Sequence, residues 1–442
     1  MDSAFAQSQI QRHGALAPAL AGARHAWLGA LRHEALAAFA TRGLPDARDE
    51  HWKYSALRTL SQRPRAAGDA EAAVRPVPGS ALSFPAEAAA RLVFVHGVFR
   101  ADLSMLGAHN DATALTITPL ASALEQDASG LRFFLSRHFR EPHQGFARLN
   151  TAFASDGAVI RVAPGARIEQ PVHLLFVGAP AEPELAWYAR NLIELGEGAV
   201  LRVVEQYVGA GAHGQLGNVV NQVSLQAGAR LAWLRAQEED EGALLVVRSE
   251  FQLAARARLD LHQIELGAGF AHHDLAVELG GDGAAFAARG LFALHERQHG
   301  DCQIEIAHAA RDTLSDVLWR GVADGRARAV FQGAITVRPG ADGSDARLSN
   351  KNLLLSPHAE IDTRPVLEIH ADEVKASHGA TVGQLDERAL FYLRARGVPL
   401  AAARNMLTYG FCRSVLDGIE PPAWCAHLAH RLSAHLPDGG IA

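Results

Sequence analysis

The stretch 197–237, EGAVLRVVEQYVGAGAHGQLGNVVNQVSLQAGARLAWLRAQ, decides the architecture. Two runs of alternating apolar residues follow two small-residue turns, Glu197–Gly198–Ala199 and Ala227–Gly228–Ala229. An apolar period of two marks strands. The same turn-then-strand texture begins near Ala158 and recurs at Pro164–Gly165–Ala166, Arg256–Ala257, Asp282–Gly283–Ala284, Arg326–Ala327 and His358–Ala359. Neighbouring copies lie mostly about thirty residues apart, the spacing of stacked coils in which each coil buries its apolar face against the next and small residues fit the corners. The expected fold is therefore mainly β, a β-helix (solenoid) core flanked by N-terminal and C-terminal helical regions. A two-sheet antiparallel sandwich also consists of short alternating strands and stands as the alternative.

Outward from that core, the chain divides into an N-terminal helical region and linker over 1–90, the solenoid over 91–380, and a C-terminal helical region over 381–442. Ala26 to Phe39 reads as helix, stopped by Gly43 and Pro45. The Ala-, Pro- and Gly-rich stretch from Ala66 to Phe84 reads as a linker to a strand at Leu92–Val95, and Leu131 to Phe139 reads as a short amphipathic helix. After Val382 the texture returns to helix: Asp386 is the expected N-cap, Ala389, Leu390 and Leu393 share a face, and Gly397–Val398–Pro399 ends the segment. Two more helices are expected near Leu400 to Leu416 and Ala423 to Leu432.

Composition narrows the function. A formal charge of −6 over 442 residues, with no basic stripe, argues against nucleic acid as a partner. Met1 to Ala23 lacks the pattern of a secretory signal, and no apolar stretch is long enough to span a bilayer, so no membrane partner and a cytoplasmic location are expected. The three cysteines, Cys302, Cys412 and Cys425, form no CxxC pair and supply neither a disulfide framework nor a cysteine-only metal cage. The 22 histidines are the more informative ligand set, because neutral imidazole binds iron, zinc or copper.

Individual motifs are mostly bland. Gly209–Ala210–Gly211–Ala212–His213–Gly214 matches GxGxxG, but a strand-like segment follows it, so no helix N-terminus is on hand for phosphate and a flexible hairpin loop is expected. There is no GxxxxGK[ST], GxSxG or HExxH. Glu238, Glu239 and Asp240 read as a solvated charge cluster in a polar loop. His272 and His273 are adjacent in a strand and point to opposite faces. His370, Asp372 and His378 are better placed, near the end of the solenoid where an interface could form, and Gly379 permits close backbone approach beside His378.

Several long segments resemble the SufB/SufD family of iron–sulfur cluster assembly scaffolds: VFQGAITV at 330–337, NLLLS at 352–356, IDTRPVLEI at 361–369, DEVKASHGATVG at 372–383 and FYLRARG at 391–397. Upstream, WKY at 52–54, LNTAF at 149–153 and RNLIE at 190–194 are also similar to the family, so the resemblance spans nearly the whole chain. SufB-type members carry a cysteine in the strand corresponding roughly to Arg347–Leu355 and a Glu-His-Glu element where this chain reads Ser377–His378–Gly379. Neither is present, and the sequence resembles the SufD-type branch.

The resemblance implies a non-catalytic subunit rather than an enzyme. Its partners would be a SufB-type scaffold, paired through the β-helical cores, and a SufC-type ATPase, held by the C-terminal helices with Phe391, Tyr392, Arg394 and Arg396 as contact residues. An iron–sulfur cluster would form transiently at the interface between the two scaffolds, none being tightly bound by this chain alone, and the histidine at the position of His378 is implicated in it. Many SufD-type members have a cysteine two residues earlier, and here that position is Ala376. ATP-driven closure would pull on the helices after Val382 and shift the core interface. A homodimer would occupy the same interface when the protein is isolated. Two other classes remain: a β-helical carbohydrate-active enzyme, which requires carboxylates stacked on one face beside an aromatic groove, and a cupin-like metal-dependent enzyme, which requires two histidines and a carboxylate converging in one barrel.

Overall fold

The computed structural model describes residues 3–55, 57–67, 76–107 and 114–436. From Ala158 onward, successive strands alternate between two sheets: Leu185–Leu195 lies in one and Val200–Gly209 in the other, then Leu216–Leu225 and Arg230–Glu238, and so on to Glu360–Ile369 and Lys375–Gly383. Every pairing along these stacks is parallel, so the chain is a β-solenoid and not an antiparallel sandwich. Alternation of the apolar residues sends one set of side chains into the interior and the other outward. The register stacks the inner set in columns, such as Val203, Trp233, Leu261, Ala288, Val317 and Leu348. All six are buried in one continuous core.

The corners explain the small-residue signal. Gly198 and Gly228 hold left-handed backbone at φ 66 and 67, and the alanines that follow, Ala199 and Ala229, are fully buried. A Cβ is disfavoured at such φ and a larger side chain would not fit beside it. Each corner donates to the next, with Gly198 N–H on Ala227 O and Gly228 N–H on Ala255 O at 2.9 and 2.8 Å, so the turns form a ladder of their own.

Helices cover both flanks. Phe5, Phe39, Trp52, Leu149 and Phe153, from the helices Ala4–Leu16, Ala26–Arg42 and Gly145–Phe153 and the turn Glu50–Trp52, pack on the outer face of one sheet against Tyr188, Leu216, Val246 and Phe270. Asn150 Nδ2 donates to Ala189 O at 2.9 Å and Arg190 NH1 to Thr151 Oγ1 at 3.2 Å, so the segments 149–153 and 190–194 meet in one helix-to-sheet joint. On the other sheet, Cys412, Leu416, Trp424, Leu428 and Leu432, from Leu400–Arg413, Pro422–His435 and the turn between them, pack against Val204, Leu234, Ile264, Leu291 and Val322. Each fully buried aliphatic side chain there contributes about 1.5–3 kcal/mol.

Several local expectations change. Gly209–Gly214 is not a hairpin loop, because the strands on either side, Val200–Gly209 and Leu216–Leu225, lie in different sheets; it is a solenoid corner. The expected helix at Leu131–Phe139 is two short turns, Ser129–Leu131 and Arg132–Leu135. Within the expected linker, Ala66–Ala67 pairs with Leu185–Ala186, and 68–75 lies outside the described residues. Glu238 and Glu239 are not a solvated cluster. Glu238 accepts from Gln206 Nε2 at 2.8 Å and Arg431 Nε at 2.6 Å, tying the last helix to the solenoid, while Glu239 is buried and burial pushes its carboxyl up to about 7.

Candidate interface at the open end of the solenoid

The two ends of the solenoid differ. At the N-terminal end the sheets finish in antiparallel pairings, Ala90–Val95 with Val98–Phe99 and Leu115–Pro119 with Ala158–Val162. At the other end, Glu360–Ile369 and Lys375–Gly383 each pair on one side only, with Arg328–Val337 and Asp345–Leu354. Two strand edges of ten and nine residues are thus left with unpaired backbone donors and acceptors.

His378 sits on the second of these edges, in register with Leu348. It is the last member of the interior column that contains Val203 and Leu348, so its position faces the solenoid interior where no further coil covers it. It is exposed, and its ring makes no hydrogen bond or ion pair among the described residues. Its column neighbours Ala376 and Ala380 are half-buried and Val382 is exposed, matching Ala346, Asn350 and Asn352 beneath. Across the interior, Thr363 Oγ1 donates to Asn350 Oδ1 at 2.7 Å, and Ile361 and Leu367 pack on the core. The end face is an apolar mouth with one imidazole in it. His370 and Asp372 are exposed in the turn joining the two edge strands, beside that mouth.

No cysteine is at hand to complete a thiolate ligand set there. Ala376 has no sulfur. Cys302 and Cys412 are buried, and burial pushes the Cys302 thiol well above its ordinary value and the Cys412 thiol up to about 12. Such thiols are inert as nucleophiles or ligands.

Three residues, Gln384, Leu385 and Asp386, separate the His378 strand from the helix Glu387–Arg394. Asp386 caps it by accepting from Arg388 N–H at 2.9 Å, as its sequence position suggests. No residue of this helix is fully buried: Leu390 and Leu393 are half-buried, and Phe391 and Tyr392 are 74% and 56% exposed. The Arg396 guanidinium lies 3.5 Å from the centre of the Tyr392 ring, and Arg394 is exposed. The four expected contact residues therefore share one short segment, with Phe391 and Tyr392 facing solvent.

A polar network inside the solenoid escaped the sequence reading. Glu205 accepts from Tyr207 Oη, Asn221 Nδ2 and Trp233 Nε1 at 2.5, 2.8 and 3.1 Å. His273 bridges Ser249 Oγ and Gln263 Oε1 at 2.9 and 2.7 Å, and Arg235 pairs with Glu265. Burial opposes the charge on Arg235, but Glu265, Tyr207 and Glu205 outweigh it and push the guanidinium up. Single polar residues in otherwise apolar strands were the available signal, and only the stacking of coils brings them together.

The family model for the SUF system FeS cluster assembly SufBD core domain matches residues 177–411, and that for the SufBD protein N-terminal region matches residues 15–174. The chain is 28% identical over 401 residues to the iron–sulfur cluster assembly protein SufD of Escherichia coli, covering 90% of each. It is 28% identical over 385 residues to an iron–sulfur cluster assembly SufBD family protein of Synechocystis, covering 85% of this chain and 84% of the relative. To the chloroplastic protein ABCI7 of Arabidopsis thaliana it is 29% identical over 282 residues, 62% of this chain and 59% of that protein.

Proposed function

The chain belongs to the SufBD family of the SUF iron–sulfur cluster assembly system, and from that premise we propose that it is a non-catalytic scaffold whose open coil joins a SufB-type chain end to end. The nascent cluster is the cargo of that junction, with His378 as this chain's ligand. The helix Glu387–Arg394 holds a SufC-type ATPase through Phe391, Tyr392, Arg394 and Arg396. One observation carries the reading: the interior column running from Val203 to Leu348 ends in His378 at an uncovered edge. A second solenoid mouth placed there would continue both sheets by strand addition and enclose the imidazole.

The chemistry is consistent with this division. A neutral imidazole ligates iron, and thiolates would come from the partner, because this chain offers none at the mouth. The short span from His378 to the helix gives force on the helix a direct route into the edge strand, so ATP-driven movement of the ATPase would open or close the junction. The enzyme alternatives find less support. Carboxylates around the groove on the outer face of one sheet are matched by basic groups, Arg364 with Glu50, Arg248 with Glu250, Arg338 with Glu278 and His51 with Glu305.

The test is anaerobic reconstitution with SufB- and SufC-type partners, comparing wild type with His378→Ala. An assembled mutant complex lacking iron–sulfur absorbance is the expected result. Unchanged absorbance would remove His378 from the ligand set and leave the chain a structural and ATPase-coupling partner.

A further inference from the structure

Away from the open end, two short turns bring two histidines and a carboxylate together over one sheet. Asp49 caps the turn Glu50–Trp52, its Oδ1 accepting from His51 N–H at 3.2 Å. His143 lies in the turn Pro142–Gln144, which is closed by a capping box between Glu141 and Gln144. Trp52 Nε1 donates to His143 O at 3.1 Å and locks the two turns against each other. Sequence alone gives no hint of this meeting, since more than ninety residues separate the turns.

We propose that Asp49, His51 and His143 form a binding site for a divalent first-row transition-metal ion. One ligand atom from each lies within 4.8 Å of the others. The His51 and His143 rings are stacked at 3.9 Å and 17°, so their nitrogens lie in neighbouring planes and one ring must turn to aim both lone pairs at a single ion. His51 Nδ1 stands 3.7 Å from Asp49 Oδ1, too far for a hydrogen bond. Two ligands about 2.1 Å from one tetrahedral ion stand about 3.4 Å apart, so a small adjustment brings this pair to ligand spacing.

Two further features point to a ligand. His51 Nε2 is 2.7 Å from Glu305 Oε1, a contact that would keep the Nε2 proton in place while Nδ1 binds an ion. A carboxylate behind a ligating imidazole is the usual supporting contact of a metal site. His143 Nε2 is buried with no hydrogen-bond partner, an arrangement that is unfavourable unless a ligand engages it. The nearby cation Arg248 is engaged by Asp274 and Glu250. His51 and Glu305 also border a groove of about 520 Å³. Imidazole and carboxylate donors suit Fe²⁺, Co²⁺ or Zn²⁺ rather than a hard cation.

The inference does not depend on the role of His378, and its test keeps the two apart. The full-length protein, stripped with chelator, would be titrated anaerobically with Co²⁺, read by visible absorption, and with Zn²⁺ and Fe²⁺, read by calorimetry. The expected result is one saturable equivalent, weakened at least tenfold by Asp49→Asn, which keeps the turn cap, and by His143→Gln, and roughly tenfold by Glu305→Gln. His378→Ala should bind as wild type does. Circular dichroism of each variant checks folding, and a misfolded His143→Gln leaves Asp49→Asn and Glu305→Gln to decide. Equal binding by wild type and the folded variants, or no saturable site, would overturn the assignment.

Discussion

His378 and Glu239 show how position in the stack assigns chemistry to a residue. His378 shares its column with Leu348 and Val317, which are core only because another coil lies over them. Glu239 has the opposite history: coil stacking buries an acid that reads as loop. Burial raises its folded value to about 7 from an ordinary value of 4.5. Between those limits the folded protein keeps a proton that the unfolded chain releases, so this group makes stability fall as pH rises; above about 7 both states are ionised and the loss is complete. Glu239→Gln should therefore gain on wild type between pH 5 and pH 8, by up to about 3 kcal/mol. Urea unfolding at both pH values checks it, and an equal gap at the two would mean that Glu239 does not titrate there. Nothing local in the sequence marks this acid as buried, because the corner that covers it, Gly267–Ala268, is contributed by the following coil. His378, by contrast, was reachable from long family-like segments around it, although its column was not.

At the scale of elements, strands and corners were legible because each coil repeats the same period-two run and the same Gly-Ala turn. The helices were less so. Ala4–Leu16 and Gly145–Phe153 carry buried polar residues, among them Gln9, His13, Arg148 and Asn150, that blur an apolar stripe and bond mainly to groups outside their own helix. The helix Glu387–Arg394 was recognised from its cap, but its half-buried Leu390 and Leu393 leave it weakly anchored to the core. Phe391 and Tyr392 point away from that anchor. Replacing both with Ser should change unfolding free energy by no more than about 0.5 kcal/mol each, as at other exposed positions. If the segment is the ATPase contact, the same change should weaken capture of a SufC-type partner by at least tenfold, measured by calorimetry or pull-down. Full retention of binding would place the ATPase elsewhere.

The whole molecule is a stack with both flanks covered, one end closed and the other open. In such quasi-one-dimensional folds a terminal repeat normally needs a polar cap, because its inner face would otherwise meet water. Here the terminal coil instead presents Ile369 and Val382, 43% and 42% exposed, at the rim of the mouth beside two unpaired edges. The edges carry some protection in Pro365, which has no N–H to offer, and in Arg364 and Lys375. They are otherwise suited to meet another mouth, and a two-fold axis would allow a second copy of this chain to occupy that place when a SufB-type partner is missing. Ile369→Lys combined with Val382→Lys puts two like charges on the rim of each copy and strands them if the mouths close. Since both side chains are already partly solvated, the monomer should unfold within a few degrees of wild type. Light scattering after size exclusion should then show a dimer for the isolated wild type and a monomer for the double variant, and the same variant should fail to join a SufB-type chain. A wild-type monomer would mean that the open end is reserved for the other scaffold, while a variant that still dimerises would move self-association off this face altogether.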